Sequence, residues 1–239
     1  MKLDVPNAIR NAMSAESFRC AIRDKAGDPL ELLLYGAVGD SIDGLDARGV
    51  AELLAANKGR PVNVRINSPG GLAFDGLTIF NALVGHDAPV TTTVEGLAAS
   101  AAAIIAMAGK PVRMADNGTL YLHRAMGLAM GNASIMLDVA SLLEQVDQSI
   151  VATVAGRRGL KASVVTQILA GKVDGTTFSA QAAKDAGLVD EVIPVPAAKS
   201  AKNEMPEGPL DPPAVAARNN WLADARRKLE LTAAAGAIH

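Results

Sequence analysis

The sequence predicts an α/β fold built from repeated βαβ units. Two observations predict it. Short β-branched segments alternate with segments of helical period from Glu31 to Val195, the pattern that parallel strands joined by crossover helices produce. The chain has 239 residues, of which 49% are hydrophobic, enough for one large domain with a real core, or a domain plus a tail.

Phe18 to Arg23 and Glu31 to Tyr35 read as strands joined through the Gly27-Asp28-Pro29 turn. Asp46 to Asn57 reads as a helix, with Asp46 as its cap and Val50, Leu53 and Leu54 on one face. Pro61 to Asn67 alternates Val62, Val64 and Ile66, as a half-buried strand does, and Gly70-Gly71 reads as the turn after it. Phe74 to Val84 repeats Leu77, Phe80 and Val84 at helical spacing. Val90 to Val94 is a β-branched strand, and Ser100 to Ala108 a helix of small residues. Val112 to Met114 and Thr119 to His123 are strands around the Asp116-Asn117-Gly118 turn. An amphipathic helix from about Ser134 to Arg157 follows, its stripe made of Ile135, Val139, Leu142, Leu143, Val146, Ile150 and Val154. Helices over Lys161 to Leu169 and Ser179 to Ala186 follow, then Gly187 as a C-cap and a strand from Val189 to Val195.

Composition narrows the function. A net charge of −2 gives no electrostatic reason for a nucleic-acid partner. Aromatic residues at 3% leave little for base or sugar stacking. The single cysteine, Cys20, rules out a disulfide framework within the chain and reads as a small buried apolar residue. Three histidines and no cysteine pair support no zinc site, and no GxGxxG or phosphate-loop pattern calls for a nucleotide or other cofactor. Met1 to Ser17 lacks the apolar stretch of a secretory signal. The apolar run Leu97 to Ala108 is too short to span a bilayer. A soluble, cytoplasmic protein is therefore expected.

Six of the twelve prolines lie at 194, 196, 206, 209, 212 and 213. With the polar start, they divide the chain into an N-terminal extension (1–17), a main domain (18–196), a proline-rich linker (197–213) and a helical tail (214–239). Val215, Leu222 and Leu229 are seven apart in that tail, too few positions for a coiled coil.

Three motifs lie just after, or at the end of, predicted strands: Ser68-Pro69-Gly70-Gly71, Gly96-Leu97-Ala98-Ala99-Ser100-Ala101, and Leu120-Tyr121-Leu122-His123. In an open α/β sheet that is where a site forms. They offer a backbone that binds an oxyanion, a nucleophile and a base, the parts of serine acyl transfer. Each has a plainer reading. Ser100 amid alanines lets a helix pack closely, Gly70-Gly71 is a tight turn, and His123 is a satisfied structural residue. Ser100 is not in a Gly-x-Ser-x-Gly elbow, because Ala98 and Ala102 occupy the flanking positions. His86 is read at the end of an exposed helix, and His239 is the last residue.

The segments Ile66-Asn67-Ser68-Pro69-Gly70-Gly71, Gly96 to Ala101 and Leu122-His123, with the 29-residue interval from Gly71 to Ser100, resemble the Clp protease proteolytic family. So does Ser179-Ala180-x-x-Ala183-x-x-x-Gly187-Leu188-Val189-Asp190. The likeness covers roughly Glu31 to Ile193. Asn67 to Gly76 and Gly127 to Ala133 look most like its phage branch, the Clp-like head maturation proteases.

The resemblance implies a Clp/crotonase-type α/β fold with a protruding handle helix. It implies Ser100 as nucleophile, His123 as base, and the Gly71 and Ala101 N–H groups as the oxyanion hole. The family acid falls opposite Gly171 or Gly175. Asp174 is the nearest carboxylate and the candidate third member, its plainer reading being a turn residue before Gly175. A Ser-Lys dyad through Lys110 is the weaker option, since Lys110 reads as capping a helix C-terminus.

The expected function is an ATP-independent serine endopeptidase of phage or prophage capsid maturation. It would act on protein substrates, capsid or scaffold proteins among them, as a homo-oligomeric ring in the host cytoplasm or a prohead. The rivals are a housekeeping Clp subunit working with an unfoldase ATPase, a crotonase-fold acyl-CoA enzyme, and a non-catalytic shell or scaffold subunit.

Overall fold

Parallel strands with one apolar face dictate the architecture. The computed structural model describes residues 21–23, 28–39, 46–172 and 174–195, all within the compact unit Met1–Val195. The expected N-terminal extension, the linker, the tail and Cys20 lie outside the described residues. Strand β1 (Ala21–Arg23) pairs antiparallel with β2 (Leu30–Val38). From β2 the sheet continues in parallel through β3 (Val62–Gly71), β4 (Val90–Ala99), β5 (Val112–Ala115) and β8 (Glu191–Ile193). Strand β6 (Thr119–Leu122) also pairs parallel with β4, and β7 (Thr176–Ser179) pairs antiparallel with β6.

Alternation sets which face is buried. Val62, Val64 and Ile66 of β3, and Val90 and Val94 of β4, point into the core. Thr92 joins them because its hydroxyl donates to the Ala106 carbonyl at 2.7 Å. The intervening Arg65 and Glu95 are only half-buried and pair at 2.5 Å on the opposite face. The core is closed by α1 (Ala47–Ala56), α2 (Ala73–Val84), α3 (Ala101–Ala106), α4 (Ala133–Arg158), α5 (Ala162–Ala170) and α6 (Ala180–Asp185). Asp46 caps α1 as its sequence position predicts, accepting from the Gly49 N–H at 2.7 Å. Every residue of α3 is buried, and its Ile104 and Ile105 are worth about 1.5–3 kcal/mol each in removed apolar surface.

Several elements differ from the sequence reading. Strand β3 does not end in a turn at Gly70-Gly71. It bulges after Ile66 and continues, pairing Gly70 with Ala37 and Gly71 with Val38. Strands β5 and β6 form on either side of Asp116-Asn117-Gly118 as read, without pairing with each other. Both lie along β4, β5 beside Thr92 to Val94 and β6 beside Leu97 to Ala99, as two stretches of one interrupted strand. His86 is not exposed: its side chain is buried, with Nε2 2.8 Å from the Arg60 carbonyl. Past the end of α3, where Lys110 is read as the cap, it is Arg157 of α4 that donates to the Met107 and Ala108 carbonyls. The short strand β7 has no counterpart in the sequence reading, and it matters most for the site.

Candidate active site

The ends of β3, β4 and β6 meet at one edge of the sheet, and each of the three motifs lies there. Ser100 follows β4 as the N-cap of α3, with φ 55° and ψ −125°. It is the one non-glycine residue with positive φ among the described residues. An N-cap serine ordinarily bonds the first turn of its helix, but the Ser100 hydroxyl makes no such bond. Its backbone carries the restraint instead. The Ser100 N–H donates to the Tyr121 carbonyl at 2.9 Å, and its carbonyl accepts from Ala103 at 3.0 Å and Ile104 at 3.3 Å. Ala101 is the first helical residue, and its N–H has no acceptor within the helix.

Gly70 makes room for this arrangement. With φ 92°, it lies so close that a Cβ there would stand 2.5 Å from the Ala99 carbonyl oxygen and 2.7 Å from the Ser100 Cβ. Ser68 is buried and shapes the approach. Its hydroxyl donates to the Gly36 carbonyl and accepts from the Gly70 N–H at 3.1 Å. The Asn67 side chain accepts from the Leu97 N–H at 3.1 Å, bridging β3 to β4 where their register shifts. Neither role could be read from the sequence, because both depend on a bulge that no local pattern announces.

His123 follows β6 directly, two residues beyond the Tyr121 that pairs with Ala99. It is 9% exposed, and its Nδ1 is buried without a hydrogen-bond partner. Strand β7 brings the remaining candidate alongside. It runs antiparallel to β6 with Leu122 opposite Thr176, so the preceding residues pass His123. A Cβ on Gly175 (φ 83°) would come within 2.5 Å of the His123 Cβ. Asp174, one residue earlier, is held through its main chain: the Tyr121 hydroxyl donates to its carbonyl at 2.8 Å. The Tyr121 ring also stacks on the His123 imidazole, with centroids 5.0 Å apart and planes 16° from parallel. Burial, and then the Asp174 charge, push the Tyr121 phenol above its ordinary range, so it remains a donor at neutral pH.

The structure thus places Gly71, Ser100, Ala101 and His123 at the C-terminal ends of β3, β4 and β6, with the Asp174 main chain tied to Tyr121 nearby, and Lys110 at the opposite end of β4, where its N–H donates to the Val90 carbonyl. Among the described residues no group of three His, Cys, Asp or Glu side chains is arranged to hold a metal ion.

A model of the Clp protease family matches residues 32–196. The chain belongs to the Clp protease family. Members of this family are serine endopeptidases, and the mostly parallel sheet of βαβ units is consistent with its fold. The chain is 28% identical over 158 residues to "ATP-dependent Clp protease proteolytic subunit 1" of Salinibacter ruber, across 65% of this chain and 66% of that protein. It is 30% identical over 162 residues to "ATP-dependent Clp protease proteolytic subunit" of Bacteroides fragilis, across 65% of this chain and 77% of the relative. The protein of that name from Bacteroides thetaiotaomicron is 27% identical over 162 residues, across 65% and 72%.

In this Clp-family chain, the Gly-rich segment Gly127 to Gly131 forms no strand before α4. Residues 123–130 are irregular, and the Ala125 N–H is pinned to the Asp147 carboxylate of α4 at 2.6 Å. Helix α4 divides in two. Val146, Ile150 and Val154 are buried in the core, while Ile135, Met136, Leu137 and Leu142 are exposed, as are Met126, Leu128 and Met130 before them.

Proposed function

We propose that this chain is a serine endopeptidase with Ser100 as nucleophile and His123 as general base. The seat of Ser100 carries the reading: a left-handed serine, its hydroxyl unused for capping, beside the strand that delivers His123. In the proposed reaction His123 removes the Ser100 Oγ proton as Oγ attacks a peptide carbonyl. The carbonyl oxygen gains the negative charge and is held by the Gly71 and Ala101 N–H groups. The C–N bond breaks as His123 returns its proton to the leaving amine, and water then hydrolyses the acyl-Ser100 ester with His123 again as base. The orphaned Nδ1 needs an acceptor to hold the imidazole tautomer, and Asp174 is the carboxylate proposed to supply it. Asp174→Asn should then slow acylation by orders of magnitude, as far as about 10⁴-fold where a triad is strictly required. A loss under about tenfold in a peptide-cleavage assay would remove Asp174 from the site.

The setting proposed is phage or prophage capsid maturation, without an ATPase, in the host cytoplasm or a prohead. Its support is the likeness of Asn67 to Gly76 and Gly127 to Ala133 to the phage branch, and the proline-rich linker and tail after residue 196. No helix among the described residues is long and apolar enough to cross a membrane. The half-exposed α4 supports a homo-oligomeric ring whose interior holds the sites, with flexible proteins, capsid or scaffold chains among them, as substrates. The names of the curated relatives favour a second reading, a proteolytic subunit served by an ATPase. Digestion of an unfolded protein by the purified chain separates the two. Cleavage without nucleotide or partner supports the first, and cleavage only with an added unfoldase and ATP supports the second.

A further inference from the structure

We propose that Tyr121 is a positioning residue that couples the His123 imidazole to the turn carrying Asp174; this rests on the serine-endopeptidase reading above. Tyr121 and His123 are two residues apart at the end of β6, so their side chains leave the strand on the same side. The near-parallel stack at 5.0 Å fixes the plane in which the imidazole turns. The same side chain reaches the acid-bearing turn at its tip, through the 2.8 Å bond from its hydroxyl to the Asp174 carbonyl. Among the described residues that turn is also tied by the Gly171 N–H to the Gln167 carbonyl at 2.9 Å, by the Gly175 N–H to that of Ala170 at 3.3 Å, and by the Thr176 hydroxyl to that of Ile168 at 2.7 Å. An aliphatic residue at 121 would supply neither contact.

Two consequences follow for the reaction. The base and its candidate carboxylate are referenced to one rigid ring, so a shift of the turn moves both together. When His123 takes the Ser100 proton, the resulting imidazolium lies against an aromatic face, which attracts a cation.

The two contacts separate by substitution. Tyr121→Phe keeps the ring and removes the hydroxyl, and should lower kcat about fivefold. Tyr121→Leu removes both, and should lower kcat about fiftyfold. KM should stay within about twofold, because Tyr121 acts through His123 and Asp174 rather than on substrate. The measurement is kcat and KM for a fluorogenic peptide, normalised to serines titrated with a fluorophosphonate. A folding role would reduce the number of titratable sites, whereas a positioning role reduces the rate at each site. Graded losses in kcat per titrated site, at constant KM, support the proposal. Wild-type kcat per site in both variants overturns it, as does a loss confined to KM or to the number of sites. Should Tyr121→Leu fail to fold, Tyr121→Phe decides the matter alone by the same criteria. A wild-type chain that cleaves the peptide but titrates no serine overturns the underlying reading together with this one, whereas variants equal to a titratable wild type overturn the positioning role alone.

Discussion

Ser100 occupies a backbone conformation that residues with a side chain rarely adopt. Such residues cost about 1–3 kcal/mol and persist only where the surroundings over-determine them. Here the Tyr121 carbonyl, the first turn of α3 and the close approach of Gly70 do so. Glycine tolerates positive φ, whereas alanine, a good helix former, does not gain from its propensity at this N-cap. Ser100→Gly should therefore unfold at higher denaturant than Ser100→Ala, by roughly 1 kcal/mol, with both variants inert to a fluorophosphonate. Equal or reversed stabilities in parallel urea titrations would remove the strain from the account. Gly71, Ser100 and His123 could be picked out as candidates in the sequence because each lies at or just after a strongly patterned strand. The left-handed backbone at Ser100 was not, since it arises from contacts with β3 and β6. Nor was the part played by Tyr121, an ordinary β-strand residue whose partner Asp174 is 53 positions away.

Among elements, α4 shows how much periodicity reveals and where it stops. The stripe from Ile135 to Val154 predicted one long helix, and Ala133–Arg158 is that helix. The pattern could not say that only its C-terminal half would be buried, because an apolar stripe looks the same whether its own chain or another covers it. Strand β7 escaped notice for a different reason: Thr176-Thr177-Phe178-Ser179 holds one large apolar residue, so no apolar alternation marks it. The buried end of α4 is fastened by charge. Arg158 donates to the Asp190 carboxylate at 2.6 and 3.0 Å, and Asp190 accepts from the Val112 N–H at 2.7 Å, joining α4, β5 and the approach to β8. The Arg158 hydrogen bond, with help from the Val112 N–H, holds the Asp190 carboxyl below the usual carboxylate range. A depressed folded pKa gives stability that is complete above the unfolded carboxylate pKa and is lost as pH falls through the folded one. Asp190→Asn should therefore lower Tm at pH 7, and the gap from wild type should narrow below about pH 4 and close in stronger acid. The effect is modest because the carboxylate is partly exposed. A Tm gap independent of pH in thermal melts would show that the ion pair does not contribute.

At the scale of the whole molecule, the α/β class was legible, and so was the placement of the candidate motifs at the C-terminal ends of parallel strands, since alternation and motif placement are local signals. Which strand lies beside which was not, and β5 and β6 sharing β4 shows why: adjacency is decided by long-range packing. The exposed half of α4 and the apolar loop before it make a surface that a monomer would leave in water. Val139→Asp with Leu143→Asp should leave the core intact, reduce the assembly in light scattering and lower peptide cleavage. A wild-type chain fully active as a monomer at micromolar concentration would remove assembly from the account. The central claim concerns one oxygen atom, the Ser100 Oγ. Its most direct test is to treat the assembled protein with a fluorophosphonate at neutral pH and map the adduct by mass spectrometry. The account predicts a single adduct per chain, on Ser100, formed more slowly in His123→Ala and absent in Ser100→Ala together with peptide cleavage. An adduct on another residue, or undiminished cleavage by the Ser100→Ala protein, would contradict it.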